Sequence, residues 1–174
     1  LRHVKETEGT LIINGDLFDF YFKYKYVIPK VFVPFYHEIL KIRQAGVKVH
    51  YALGNHDYWV QDFITDTLFD YTYFTDTEFD INGKQFFVTH GDGYLSWARG
   101  YRLLRGFIRS RLFTWVYRWI HPRLGYAFAR WVSKKGEHYK HSDAYNNKIA
   151  TEMSIHANKK FENGFQYFVT GHYH

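Results

Sequence analysis

Apolar and polar positions follow two periods along the chain. Short apolar runs at 10–14, 47–53 and 165–170 are stopped by Gly15, Gly54 and Gly171, as buried strands entering sharp turns are. Between the first two, Val31, Phe35, Ile39 and Ile42 recur at helical spacing, which predicts a helix at about 30–45 closed by Gly46. Strand, helix and strand in this order predict a parallel pair with a right-handed crossover. Residues 71–90 carry further strand-like runs at 71–74, 78–81 and 85–89, the last two joined by the hairpin signal Asn82-Gly83. A long helix is predicted at about 143–162. The expected fold is α/β, a mixed β-sheet system flanked by helices.

Composition narrows the classes. With 174 residues, the chain is expected to form a single domain over 1–174, and 46% hydrophobic residues exclude disorder. The absence of cysteine excludes disulfides, thiolate metal sites and cysteine nucleophiles. No apolar run approaches the roughly 18 residues of a membrane span, and no signal-peptide pattern is visible. A net charge of +6 points to an anionic partner: nucleic acid, phospholipid or a phosphorylated small molecule.

The chemistry sits at the strand ends, which read Gly15-Asp16, Gly54-Asn55-His56-Asp57, His90-Gly91-Asp92 and Gly171-His172-Tyr173-His174. Any one of these alone reads as an ordinary turn. In an α/β sheet, however, sites lie beyond the carboxyl ends of the strands, where loops from different strands converge. Asp16, Asn55, His90, His172 and His174 are therefore expected to share one crevice. Oxygen and imidazole donors without sulfur suit manganese, iron or zinc.

In this order, the motifs at 15–19 (Gly-Asp-Leu-Phe-Asp), 54–57, 90–92 and 171–174 resemble the calcineurin-like metallophosphoesterase superfamily. The resemblance implies a metallophosphoesterase-type sheet sandwich and two divalent metal ions, manganese foremost with iron or zinc as alternatives. It implies that Asp16 bridges both ions, that Asn55, His90 and His172 complete the second, and that His174 belongs to the first. His56 would stand near the scissile phosphate, held by Asp57. Two cations beside a phosphoryl group neutralise its charge and lower the pKa of a bound water. The family's opening Asp-x-His pair has no counterpart here, so the chain is expected to begin after the first strand and to end before the last ones. Without that pair, an inactive scaffold of the same fold is the alternative to an enzyme.

Between His90 and His172 lies an insertion, a helical cap expected at about 95–140. From Gly93 to Gly136 it holds no acidic residue, many arginines and four of the five tryptophans. Leu103, Phe107, Leu112, Val116 and Trp119 recur at near-helical intervals, which predicts amphipathic helices suited to a membrane interface. An ordinary cap packed on the sheet is the plain alternative, and stacking on single-stranded nucleic acid is the least favoured. With no acid in the segment, its arginines are expected to pair with phosphates. Such a cap is similar to that of the UDP-2,3-diacylglucosamine hydrolases of lipid A synthesis, although many of those have Arg where this chain has His56. That resemblance implies cleavage of the pyrophosphate of a lipid-linked nucleotide, giving UMP and diacylglucosamine 1-phosphate. It also implies a cytoplasmic enzyme peripherally associated with the inner membrane of a Gram-negative bacterium. Arg99, Arg102, Arg105 and Trp97 are the candidates for substrate contact. A nuclease or a protein phosphatase of the same fold is the alternative activity.

Overall fold

The computed structural model describes residues 3–6, 9–18, 20–60, 62–137 and 142–172. Its strands are β1 (Thr10–Asn14), β2 (Lys48–Ala52), β3 (Tyr71–Tyr73), β4 (Thr77–Ile81), β5 (Lys84–Thr89) and β6 (Tyr167–Thr170). Its helices are α1 (Val33–Gln44), α2 (Arg99–Ile108), α3 (Arg111–Tyr117), α4 (Pro122–Glu137) and α5 (Asp143–Glu162). The strands form two three-stranded sheets, β1-β2-β3 and β4-β5-β6. β1 and β2 run parallel, as the βαβ reading expects, and β3 extends that sheet in parallel. β4 and β5 form the hairpin at Asn82-Gly83, where both residues have positive φ, and β6 joins β5 in parallel.

Alternation along β2 explains the layering. Val49 and Tyr51 are fully buried among Tyr36, Ile39 and Ile42 of α1, and they form the main core with Phe18, Leu68 and Phe69. His50, between them, faces the second sheet and meets the ring of Phe79 in β4 at 5.3 Å. A period of two thus gives β2 one face for the helix and one for the neighbouring sheet. On the far side, Ile149 and Met153 of α5 pack with Leu95 and Phe168, so helices flank both sheets.

One detail of the helix prediction changes. A 3-10 turn at Lys30–Phe32 precedes α1, which starts at Val33 with proline in its first turn. Val31 therefore lies ahead of the helix and is 72% exposed, while Tyr36 takes the inward position.

The cap does form helices. Their inner residues Phe113 and Tyr117 pack on Phe20, Phe22, Tyr58 and Trp59 from the loops after β1 and β2. The indole N–H of Trp59 donates to the carbonyl of Ile108 at 2.9 Å.

Asp70 fastens the first sheet to α1. Its carboxylate accepts the Val49 N–H at 2.9 Å and faces Arg43 at 3.1 Å and Lys48 at 3.8 Å. Burial raises its pKa, but the Val49 N–H and the two cations outweigh that and hold it below the usual value of 3.8. A depressed carboxyl pKa stabilises the fold above the unfolded value, and that contribution is lost as pH falls through the folded one. Asp70→Ala should cost about 1–3 kcal/mol at pH 7. Urea denaturation should show the gap between parent and variant narrowing as pH falls from the unfolded carboxylate value of about 3.9 through the lower folded one; a gap that keeps its full size contradicts the assignment.

Candidate metal centre

Four loops meet where the two sheets abut, two from each sheet. Gly15 and Gly54 permit the approach. Gly15 has φ +72°, and a Cβ there would meet the His90 ring and lie 2.9 Å from the Gly54 backbone. A Cβ on Gly54 would strike the Asp16 carboxylate. Glycine is the residue that meets both demands, a left-handed turn and backbone contact. Across to the second sheet, the Asn14 amide donates to the carbonyl of Thr89 at 2.9 Å, fixing β1 against the end of β5.

Within this junction, His90 Nε2 lies 3.0 Å from Asn55 Oδ1 and 3.2 Å from Asp16 Oδ2. His172 Nδ1 lies 3.9 Å from the same Asp16 oxygen. The nearest ligand atoms of Asp16, His90 and His172 all fall within 4.8 Å of one another. Ligand bonds of about 2.0–2.2 Å hold neighbouring donors roughly 3–4 Å apart around one ion, so the set is close to binding geometry. Asp16 and His172 have φ +47° and +57°, a left-handed conformation uncommon outside glycine. Two of the three clustered residues are thus held where strain concentrates at functional sites.

Electrostatics favour a cation here. Burial raises the Asp16 pKa, but the His172 and His90 imidazoles beside it, the charge of His90 and the His56 backbone N–H hold it well below the carboxylate range. Burial lowers the pKa of His90, whereas Asp16 and the nearby Asp92 and Asp57 overcome it and raise it above the usual value. One ionised carboxylate, one amide oxygen and two imidazoles form a hard-to-borderline donor set that fits a divalent ion of the manganese, iron or zinc type.

Asp16, Asn55, His90 and His172 are therefore brought together. His174, with Asp19, lies outside the described residues. His56 is half-buried, and its backbone N–H donates to Asp16 Oδ1 at 3.0 Å. The expectation that Asp57 holds His56 is corrected. The Asp57 carboxylate is fully buried and accepts the Leu17 N–H at 2.9 Å, the Gly54 N–H at 2.7 Å and the Tyr51 hydroxyl. It binds the two loops together from beneath instead of reaching the crevice.

The cap contacts also differ from expectation. Trp97 stacks on Tyr145 of α5 at 5.9 Å with Lys148 over its ring, so it is a packing residue. Arg99 and Arg102 are exposed and do not border the cavity beside His90, whereas Arg105 does. Arg105 of α2 and Arg109 at its C-cap, four residues apart, lie on the same inward side. Nor do these arginines lack an acid. Asp92, just outside the acid-free segment, takes Arg105 at 2.5 and 3.2 Å and Arg109 at 2.9 Å. The sequence carried a hint, since Asp92 belongs to the His90 motif, but pairing across the turn is a tertiary fact. Asp76 gave no signal: it borders the cavity beside His90 and accepts the Thr89 and Tyr94 hydroxyls at 2.6 Å each.

The family model of calcineurin-like phosphoesterases matches residues 1–174. A UDP-2,3-diacylglucosamine hydrolase of Porphyromonas gingivalis is 31% identical over 136 residues, which are 78% of this chain and 52% of that protein. The chain thus spans about half the length of the curated relative it matches.

Manganese titrated into the protein should raise its melting temperature, and His90→Ala and Asp16→Ala should each weaken binding at least about tenfold. Calorimetric titration reads both. Parent-like affinity in either variant places the ion elsewhere.

Proposed function

The chain belongs to the calcineurin-like phosphoesterase family, and from that premise we propose that it hydrolyses a pyrophosphate using divalent metal ions. The observation that carries this reading is the convergence of Asp16, Asn55, His90 and His172 at the ends of four strands from two sheets. The family implies divalent ions; when bound, they would neutralise phosphoryl charge and lower the pKa of the attacking water. Manganese is the proposed ion. Asp16 would hold it with one carboxylate shared between two positions, His90, His172 and Asn55 would complete its shell, and His174 would serve the second position. The His56 imidazole would hold a proton for the leaving oxygen. Asp57 acts indirectly, by fixing the loop that carries Asn55 and His56.

The proposed substrate is UDP-2,3-diacylglucosamine, cleaved to UMP and diacylglucosamine 1-phosphate in lipid A biosynthesis. Support comes from the relative's activity and from the cap, whose helices stand beside the crevice and present an apolar, arginine-bearing outer face. Acyl chains would lie along that cap. Three buried methylenes at about 0.8 kcal/mol each correspond to roughly 50-fold in rate. The kcat/KM ratio of the diacylated substrate to its deacylated UDP-sugar, measured below micelle formation, should reach that size. A ratio near one removes acyl recognition and makes nuclease or protein phosphatase activity the leading reading.

The outer face of the cap also supports peripheral attachment to a membrane. Leu103 and Trp119 are 77% and 78% exposed, and Leu112, Trp115 and Phe128 are exposed on the cap as well. Arginines flank them, and among the described residues no helix is long and apolar enough to cross a membrane. Apolar rings beside cations suit the boundary between head groups and acyl chains. The protein should sediment with vesicles containing phosphatidylglycerol, and the paired variant Leu103→Ser/Trp119→Ser should lose at least about fivefold of that binding. Equal sedimentation of parent and variant argues that this face packs elsewhere.

A further inference from the structure

We propose that Arg109 is a substrate-positioning residue that contacts the phosphate not under attack, and thereby favours diphosphates over phosphate monoesters. The proposal rests on the phosphoesterase reading above.

Arg109 stands at a junction of two spaces. It borders the small cavity of about 20 Å³ beside His90, and also a groove of about 620 Å³ between α3 and the loops after β1, β2 and β3. Tyr58, Phe74 and Trp115 line that groove with Arg109, Arg111 and Arg118. Among the described residues no carboxylate lines it, and Lys23, which does, pairs with Asp62 at 2.5 Å. Of the clustered residues His90 borders the small cavity, which has room for about one water, so Arg109 is the side chain that links the edge of the cluster to the cationic, aromatic groove.

The side chain is already oriented. It is 14% exposed, its Nη2 donates to Asp92 Oδ2 at 2.9 Å, and its guanidinium lies 4.0 Å over the Tyr58 ring. These contacts fix the plane of the fork before an anion arrives, so little side-chain entropy remains to be lost. Nε and Nη1 make no hydrogen bond to the described residues. Asp92 supplies one negative charge against the two guanidiniums of Arg105 and Arg109. Asp76, the other carboxylate on the small cavity, spends both oxygens on the Thr89 and Tyr94 hydroxyls.

The chemistry gives this cation a task. Water forms a P–O bond to one phosphorus and gives up a proton to solvent, the bond from that phosphorus to the bridging oxygen breaks, and the departing phosphate leaves with that electron pair. Negative charge grows on the departing group, where a charge-assisted guanidinium contact gains strength. A phosphate monoester has no second phosphate to place there.

The test compares Arg109→Gln and Arg109→Lys with the parent on a sugar-nucleotide diphosphate and on an aryl phosphate monoester. Arg109→Gln should lower kcat/KM for the diphosphate about 30-fold, through a raised KM together with a smaller loss in kcat, and for the monoester no more than about threefold. Arg109→Lys should recover most of the diphosphate loss. Calorimetry on the manganese-loaded protein should show inorganic pyrophosphate binding about tenfold weaker in Arg109→Gln. Equal losses on both substrates, or unchanged pyrophosphate binding, overturn the proposal. If the parent hydrolyses neither compound, the phosphoesterase reading fails, and pyrophosphate binding alone still decides the role of Arg109.

Discussion

The candidate centre depends on one buried carboxylate. Asp57 receives two backbone N–H groups and a tyrosine hydroxyl, one donor from each of β2, the loop after β1 and the loop after β2. An isolated buried charge is costly, and this one is tolerated because its oxygens are satisfied by donors that must themselves be fixed. Burial still raises its pKa, with Tyr51 and the two N–H groups opposing the shift. The Gly15-Asp16 and Gly54-Asn55 turns are held in contact by this arrangement, and Asp16 and Asn55 face His90 as a result.

A second consequence follows from splitting the centre between two sheets. Asp16 and Asn55 come from one, His90 and His172 from the other. Among the described residues, the contacts that hold the sheets together near this point include the Asn14 amide on Thr89, and His50 and Tyr73 against Phe79. The cap adds a third tie, because Asp92 binds α2 while Trp59 and Tyr58 engage the same helix end. The helix that would meet substrate and the loops that would hold metal therefore form one connected assembly.

Much of this was legible in the sequence, for reasons that can be named. Strand ends at Gly15, Gly54 and Gly171 were visible because an apolar run broken by glycine has few other readings; β1 and β6 end directly before their glycines and β2 two residues before Gly54. The convergence of Asp16, Asn55, His90 and His172 followed from placing ligand-type residues at those ends. What was not legible depends on contacts across the chain. Asp57 looks like a partner for its neighbour His56, but its donors come from Tyr51 and Leu17 as well as Gly54. Trp97 looks like an exposed aromatic of the cap, but Tyr145 and Lys148 of α5 enclose it. The cap arginines looked unpaired because their acid, Asp92, stands outside the window in which acids were absent.

The left-handed backbone at Asp16 and His172 also shapes the mutational alphabet open to the site. At φ near +50°, asparagine, aspartate, histidine and glycine are tolerated, whereas β-branched side chains collide with their own backbone. Asp16→Asn changes charge and donor capacity with the turn preserved, so its effect reports on chemistry. Asp16→Val changes charge and backbone together. A lineage drifting away from metal binding would thus have a narrow exit at these positions, through asparagine or glycine, and the turns would outlast the ligands they present.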